Sequence, residues 1–221
     1  MGRMTRVLIA LTSHDKLGDT GRTTGFHVGE AAEPWAAFQA AGFEVTLVSP
    51  QGGRPPIDGF DETDATQKHF LAEAGLDHTV RPADVDAEAY NGIFFAGGHG
   101  VMWDFPTDAD LARLATRIYD RGGVVAAVCH GPAALVNLTL GDGSRLVDGK
   151  RVAAFTNAEE AAVGLTEVVP FLLADALTAA GATHIPGPEW TEQVVVDGRL
   201  ATGQNPQSAR GVADEVVKLL A

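Results

Sequence analysis

The chain has 221 residues, of which 45% are hydrophobic and 20% charged, a composition typical of a globular protein rather than of a disordered or membrane-embedded one. Its formal net charge of -13 and the lack of a Lys/Arg-rich stripe exclude a nucleic-acid phosphate backbone as partner. The single cysteine excludes an intramolecular disulfide and predicts a reducing, cytoplasmic location, and no apolar run is long enough to predict a membrane span.

Apolar, β-rich runs alternate with helical patterns along the chain. Strands are predicted at residues 6–12, 44–49, 91–96, 123–128 and 151–155. Helices are predicted at residues 29–41, 63–74, 108–121, 132–137, 170–180 and 208–220. This alternation predicts an α/β fold, a doubly wound, mostly parallel sheet with helices on both faces. Because no repeat or linker divides the chain, residues 1–221 are expected to form a single domain.

Two features modify this plan. Asp197-Gly198 lies between residues 193–196 and 199–202, two short β-rich runs, and predicts a β-hairpin before the last helix. Residues 14–27 and 51–64 are predicted long loops, and each follows a predicted strand. Both loops can therefore overhang the carboxyl ends of the strands, where ligands bind in open α/β sheets.

The segment GGVVAAVCHGP, residues 122–132, predicts a buried strand that turns abruptly into a helix with Cys129 on the turn. Gly131 relieves the crowding of such a turn, and the helix N-terminus is expected to lower the pKa of the thiol. Cys129 is thus a candidate nucleophile, and His130 beside it a candidate base. The alternatives are a small buried core cysteine and a locally satisfied histidine.

A glycine-rich loop follows another predicted strand in FFAGGHG, residues 94–100. Gly97, Gly98, His99 and Gly100 can bring backbone N–H groups close to a reacting oxygen, as in an oxyanion hole. Their spacing fits neither a phosphate-binding loop nor a dinucleotide fingerprint, so nucleotide binding is disfavoured. An ordinary turn is the alternative.

The third motif is TGFHVGEAAEPW, residues 24–35, in which Glu30 lies at the start of a predicted helix. A carboxylate there is commonly a solvated charge that complements the helix dipole. Phe26, Val28 and Trp35 can instead bury Glu30, raise its pKa and make it competent to carry a proton. The residues alone leave both interpretations open.

These motifs, followed by VAAFTNAEE and DGRLATGQNP, resemble the PfpI-type, class I glutamine amidotransferase-like superfamily. Within it, the chain is most similar to the branch of heat-shock protein 31 and the glutathione-independent glyoxalases, also called glyoxalase III or D-lactate dehydratase. The resemblance runs from the first strand to the last helix and implies a flavodoxin-like sandwich.

The resemblance also implies site residues. Cys129 corresponds to the nucleophile, His130 to its partner and Glu30 to the acid that hydrogen-bonds the thiol. The acid that orients the histidine falls on Glu160, with the adjacent Glu159 as the alternative. The oxyanion donors fall on Gly98 and the N–H of His130. At Glu33 this chain departs from the branch, which commonly has His there.

The implied activity is conversion of a small 2-oxoaldehyde such as methylglyoxal to lactate, without cofactor or metal. Consistent with this, the seven histidines include no H-x-x-x-H or H-E-x-x-H spacing. No H-x-E motif is present, which disfavours glutamine hydrolysis. The alternatives are a stress chaperone or peroxide sensor and a PfpI-type cysteine peptidase or amidohydrolase, and a homodimer is compatible with all of them.

Overall fold

The computed structural model describes residues 4–221, so residues 1–3 of the predicted domain lie outside the described residues. Its strands are β1 (Arg6–Ala10), β2 (Phe26–His27), β3 (Glu44–Val48), β4 (Ile57–Asp58), β5 (Gly92–Phe95), β6 (Val124–Val128), β7 (Arg151–Val152), β8 (Thr183–His184), β9 (Val194–Asp197) and β10 (Leu200–Gly203). Its helices are α1 (Val28–Ala40), α2 (Ala65–Glu73), α3 (Val101–Asp104), α4 (Ala109–Asp120), α5 (Asn157–Ala162), α6 (Leu173–Ala179) and α7 (Ala209–Leu220).

The central sheet confirms the predicted fold class. Its strand order is β3-β1-β5-β6-β10-β9, and all neighbours are parallel except the β9–β10 hairpin. The five parallel strands have the flavodoxin-like order, with the switch point between β1 and β5. The Gly97–Gly100 loop follows β5 and Cys129 follows β6, so both motifs lie at the carboxyl edge of the sheet near this switch point.

Alternate residues of the strands enter two cores, one on each face of the sheet. Leu8, Phe95 and Val125 pack with α4 and α6 on one face. Ile9 and Phe94 pack with α1, α2 and α7 on the other face. Every side chain of β6 is buried, as expected for a central strand covered by helices on both sides.

Two predicted elements are wrong. Beyond β7, residues 153–155 belong to no strand, because β10 occupies the place beside β6; β7 instead pairs with β8 in a separate two-stranded sheet. The predicted helix at 132–137 is a 3-10 helix, Gly131–Leu135. Pro132 contributes no N–H there, and the amide of Ala133 bonds to the carbonyl three residues back.

The two predicted loops meet above the carboxyl edge. They contribute β2 and β4, which pair in parallel, and Phe26 N–H donates to the Pro56 carbonyl at 2.9 Å. This pairing fixes the start of α1, the helix that carries Glu30. Within residues 4–221, no helix combines the length and the apolar character needed to cross a bilayer.

Candidate active site

Cys129 lies on a strained turn immediately after β6. Its φ of 58° lies in the left-handed region, which is uncommon for a residue other than glycine and is found at functional sites. Its N–H donates to the Gly203 carbonyl and its carbonyl accepts from Phe155 N–H, both at 3.0 Å. These bonds to two other segments hold the cysteine in the strained conformation, with only 4% of its surface exposed.

His130 links the thiol to a carboxylate. Its Nδ1 lies 3.5 Å from the Cys129 sulfur, and its Nε2 lies 2.7 Å from Oε2 of Glu160. Burial and the neighbouring His99 lower the pKa of His130 to about 4, so the ring is neutral at neutral pH. Burial alone would raise the pKa of Glu160, but hydrogen bonds from His130 and His99 outweigh it and hold that pKa at about 2.

These charge states fix the tautomer of His130. The Glu160 carboxylate can only accept, so the hydrogen of His130 resides on Nε2. Nδ1 then presents a lone pair to the thiol. His130, oriented by Glu160, can therefore take the proton from Cys129 as the sulfur attacks an electrophile.

Glu30 is the second acid–base group beside the thiol. Its side chain is fully buried, and Oε2 accepts from the N–H of Gly97 at 2.8 Å. Burial raises the pKa of Glu30 to about 8, against smaller opposing effects of Cys129 and Gly97. A solvated, dipole-complementing role for Glu30 is incompatible with this burial.

The expected low pKa of the thiol is contradicted. Burial, and after it the charge of Glu30, raise the pKa of Cys129 well above its ordinary value. The N–H of His130 acts in the opposite direction but is outweighed. The following 3-10 helix spans only Gly131–Leu135, too short to supply a full helix dipole. The resting nucleophile is therefore a thiol.

The glycines of residues 97–100 have different roles. The N–H of Gly97 donates its hydrogen bond to Glu30, so it cannot also serve as an oxyanion donor. A Cβ on Gly97 would lie 2.9 Å from the His130 nitrogen, which explains why glycine is needed there. Gly100 donates to the Gly25 carbonyl at 3.3 Å and so ties this loop to the start of α1.

The two N–H groups predicted as oxyanion donors are those of Gly98 and His130. Among the hydrogen bonds of residues 4–221, neither Gly98 N–H nor His130 N–H has an oxygen acceptor. The N–H of Gly98 is thus free to receive a developing oxyanion, whereas the N–H of His130 donates to the Cys129 sulfur and would turn to the oxyanion as the sulfur bonds to the substrate.

His99 has a role that the glycine pattern did not indicate. Its Nε2 lies 2.7 Å from Oε1 of Glu160, so one carboxylate binds two imidazoles. The rings of His99 and His130 lie 4.1 Å apart between centroids. The ligand atoms of His99, His130 and Glu160 are also close enough together to share a metal ion, but each is already satisfied by these hydrogen bonds.

The sequence analysis left open whether Glu159 or Glu160 orients His130, and the two residues differ sharply in their contacts. Glu159 completes a capping box with Thr156 and also accepts from Trp190 N–H, Gln204 and Asn205. Only Glu160 contacts His130. The T-x-x-E pattern from Thr156 to Glu159 is a capping signature, and it indicates from sequence alone that Glu159 is engaged by its own helix.

Aromatic residues that the sequence analysis did not single out cover the histidines. Phe155 lies against His130 with 4.3 Å between ring centroids, and Trp190 packs edge-on against Phe155 at 5.7 Å. Trp190 also has a positive φ of 56° and is 40% exposed. Glu33, by contrast, forms no hydrogen bond or ion pair with these site residues in the part of the chain that the structure describes, and its carboxylate lies 3.9 Å from Arg210.

A comparison with known protein families identifies the family of this chain. The sequence model of the DJ-1/PfpI family matches residues 23–219, which include every residue of the site. The chain belongs to the DJ-1/PfpI family. The resemblance inferred from the motifs is thereby confirmed.

Relatives within the DJ-1/PfpI family include named enzymes. The chain is 34% identical to glyoxalase 3 of Candida albicans, with 97% of this chain and 98% of the relative covered. It is 37% identical to the glutathione-independent glyoxalase HSP31 of Saccharomyces cerevisiae, with 94% of each covered.

Solved structures agree with these relatives. The crystal structure of glyoxalase III from Candida albicans has a TM-score of 0.88 over 98% of each chain, at 34% identity. The rapid encystment protein of Francisella tularensis has a TM-score of 0.95 at 38% identity, over 99% of this chain and 100% of that chain.

Proposed function

We propose that the chain is a glutathione-independent glyoxalase that converts methylglyoxal and related 2-oxoaldehydes to 2-hydroxy acids. The observation that carries this proposal is a buried thiol with two proton acceptors, Nδ1 of His130 at 3.5 Å and the buried carboxyl of Glu30. The names of relatives that match nearly the whole chain support the same activity.

The first chemical step is addition of sulfur to the aldehyde. As the Cys129 sulfur bonds to the aldehyde carbon, its proton passes to Nδ1 of His130 and the carbonyl oxygen becomes an oxyanion. We assign the N–H groups of Gly98 and His130 as the donors that receive this oxyanion. The proton then returns from His130 to this oxygen and completes a neutral hemithioacetal.

The second step is a proton shift on which the reaction depends. The Glu30 carboxylate removes the hydrogen from C1 while the hydroxyl proton on the C1 oxygen moves to the C2 oxygen, so the anion of an enediol forms. Glu30 then returns a proton to C2, the C1 oxygen becomes a carbonyl again, and the 2-hydroxy thioester results. A pKa of about 8 makes the carboxylate a much stronger base than an ordinary glutamate, while a useful fraction stays ionised near neutral pH. Water finally cleaves the thioester and releases lactate and the free thiol.

The carbon oxidised and the carbon reduced belong to the same substrate. The net change is addition of one water to methylglyoxal, so the reaction needs no external redox cofactor. In the reverse direction it removes water from lactate, which is the D-lactate dehydratase, or lyase, form of the activity. We place the enzyme in the cytoplasm as a single domain, and we regard a homodimer as compatible with it.

Methylglyoxal consumption without glutathione tests the function directly. We expect the purified protein to form lactate, with the same rate after exhaustive chelation and dialysis, because no step above uses a metal. Chromatography on a chiral column identifies the product enantiomer. No lactate, or a rate lost on chelation and restored by one particular metal, would contradict the proposal.

The properties of Cys129 favour catalysis over peroxide sensing. Sensor cysteines are exposed and have a low pKa, because oxidation requires the thiolate. Cys129 is 4% exposed and its pKa is raised by burial. Addition of this thiol to a small aldehyde, during which His130 takes the thiol proton, is therefore favoured over its oxidation by peroxide.

A matched pair of variants tests the role of Glu160. Glu160→Gln removes the anion that holds the hydrogen on Nε2 of His130, so we expect kcat to fall by about 10-fold or more. Glu159→Gln changes the neighbouring residue in the same way but removes no hydrogen bond of His130, on whose pKa the charge of Glu159 acts less than that of Glu160. We therefore expect it to lower the melting temperature rather than alter the pH profile of kcat/KM. A fall in kcat for Glu159→Gln, with only a lower melting temperature for Glu160→Gln, would refute the role of Glu160.

A further inference from the structure

The carboxylate of Glu160 binds two histidines, of which only His130 has a role in the proposed reaction. Its Oε2 accepts from Nε2 of His130 and its Oε1 accepts from Nε2 of His99, both at 2.7 Å. A carboxylate with a pKa of about 2 can only accept, so it holds the hydrogen of each ring on Nε2. In a neutral ring Nδ1 then carries the lone pair, so Glu160 prepares two imidazoles in the same way.

The two Nδ1 atoms have different surroundings. Nδ1 of His130 contacts the Cys129 sulfur at 3.5 Å, and the side chain of His130 is only 1% exposed. The side chain of His99 is 16% exposed. Within residues 4–221, its Nδ1 forms no hydrogen bond and yet is not one of the buried nitrogen and oxygen atoms that lack one, so this atom is open to solvent. One imidazole thus faces the thiol, and the other faces solvent.

The fold holds the ring of His99 beside the groups that react. It lies against the ring of His130 with 4.1 Å between centroids and 44° between planes. Its backbone carbonyl accepts from the N–H of Met102 at 3.0 Å, which fixes the loop that carries it. The residue before it, Gly98, has an N–H that we assign to the oxyanion. The same short loop therefore carries an oxyanion donor and a solvent-exposed imidazole.

The last step of the proposed reaction requires a base that water can approach. Water attacks a thioester slowly near neutral pH unless a base takes its proton as it attacks. At this stage the sulfur of Cys129 is acylated. Nδ1 of His130 lies beside that sulfur, and the ring of Phe155 packs against His130 with 4.3 Å between centroids. Nδ1 of His99 can be approached without displacing either ring, because it is already open to solvent.

We propose that His99 is the general base that activates water for hydrolysis of the acylated Cys129. Its Nδ1 takes a proton from water as the water oxygen bonds to the thioester carbon, and the carbonyl oxygen becomes an oxyanion. The carbonyl then forms again and the carbon–sulfur bond breaks, with its electron pair left on sulfur. The sulfur takes the proton of the new carboxyl group, and His99 releases its proton to solvent. The inference rests on the proposed glyoxalase function and goes beyond it, because it assigns the two histidines to separate steps.

Steady-state kinetics of His99→Gln test this assignment. The glutamine amide can still donate to Glu160 but has no basic lone pair, so sulfur addition and the proton shift should continue while hydrolysis slows by about 100-fold or more. Because kcat/KM reports only the steps up to the thioester, we expect kcat and KM to fall together and their ratio to stay near the wild-type value. His99→Asn, which also lacks a basic nitrogen, should show the same pattern.

Trapping of the acylated protein identifies the step that stops. After acid quenching during turnover and removal of methylglyoxal, His99→Gln should carry a lactoyl group on Cys129 that hydroxylamine releases as lactohydroxamate. A hemithioacetal reverts to methylglyoxal under the same treatment and gives no hydroxamate. The matched control is His184→Gln, because His184 bonds to the Ala154 carbonyl at 3.3 Å and to neither histidine of the site. It should keep the wild-type kcat and KM and accumulate no lactoyl group.

The outcomes distinguish this inference from the function on which it rests. Equal losses of kcat and kcat/KM without lactohydroxamate, or unchanged kinetics, in a folded His99 variant would overturn the role of His99 and leave the glyoxalase function standing. The use of two variants keeps the test decisive if one of them does not fold. No lactate from the wild-type protein would overturn the function and the role of His99 together.

Discussion

Replacement of Cys129 by Ala or Ser is expected to reduce methylglyoxal turnover to below a few per cent of the wild-type rate, because the sulfur forms the bond to the substrate. Ala provides no nucleophile. The hydroxyl of Ser is far less acidic than a thiol, and a neutral His130 with a pKa of about 4 is too weak a base to activate it. We expect both variants to fold, since truncation of one small buried side chain costs about 1–3 kcal/mol.

Thermal unfolding followed by circular dichroism checks the fold, and steady-state lactate formation checks the rate. Intact-mass analysis of protein quenched during turnover should show a substrate adduct on the wild type and none on Cys129→Ala. Residual activity well above a few per cent of wild type would contradict covalent catalysis. Wholesale unfolding would instead support a purely structural role for this cysteine.

The sequence predicts those parts of the site that depend on neighbouring residues in the chain. The apolar run before Cys129, the glycine-rich loop after β5 and the start of α1 are local patterns. In a parallel α/β sheet the carboxyl ends of strands lie at one edge, so topology alone brings the first two motifs together. The pairing of β2 with β4 positions the third motif, the start of α1 with Glu30, beside the other two.

Properties that depend on distant residues were not predictable in the same way. The pKa of Cys129 was expected to fall on local grounds, yet burial and the charge of Glu30, 99 positions earlier in the sequence, raise it. Likewise the N–H of Gly97 is directed at Glu30 and not at a substrate oxygen. Trp190 is likewise tied to the site by contacts with distant residues: its backbone N–H donates to Glu159, 31 residues earlier, and its ring packs against Phe155.

Glu30→Gln is expected to lower kcat by about 100-fold or more, the usual scale for losing a general acid–base group. The amide oxygen can still accept the N–H of Gly97, so the shape of the site is retained. The amide cannot take and return a proton, however, so the reaction should stop at the hemithioacetal. We expect Cys129 to remain alkylatable, and mass spectrometry after trapping should detect the adduct. Turnover comparable to wild type would refute the mechanism even with an essential cysteine.

The same substitution should stabilise the protein in a pH-dependent manner. In the folded chain the pKa of Glu30 is about 8 instead of 4.5, so between these values the native state binds more protons than the unfolded state. The stability of the wild type therefore decreases as pH rises across this range, whereas Gln carries no such penalty. At pH 7 the difference in the free energy of unfolding should approach about 3 kcal/mol in favour of Glu30→Gln.

Chemical denaturation at pH 5 and pH 8 measures this difference, with Glu33→Gln as the matched control. Glu33 is only partly buried, with 30% of its side chain exposed, so its substitution should shift stability far less between the two pH values. A gain that grows with pH for Glu30→Gln alone, together with the loss of turnover, would mean that the protein maintains a destabilising buried carboxyl because the proton shift requires it. A pH-independent difference would show that Glu30 is solvated in solution and unsuited to the role proposed for it.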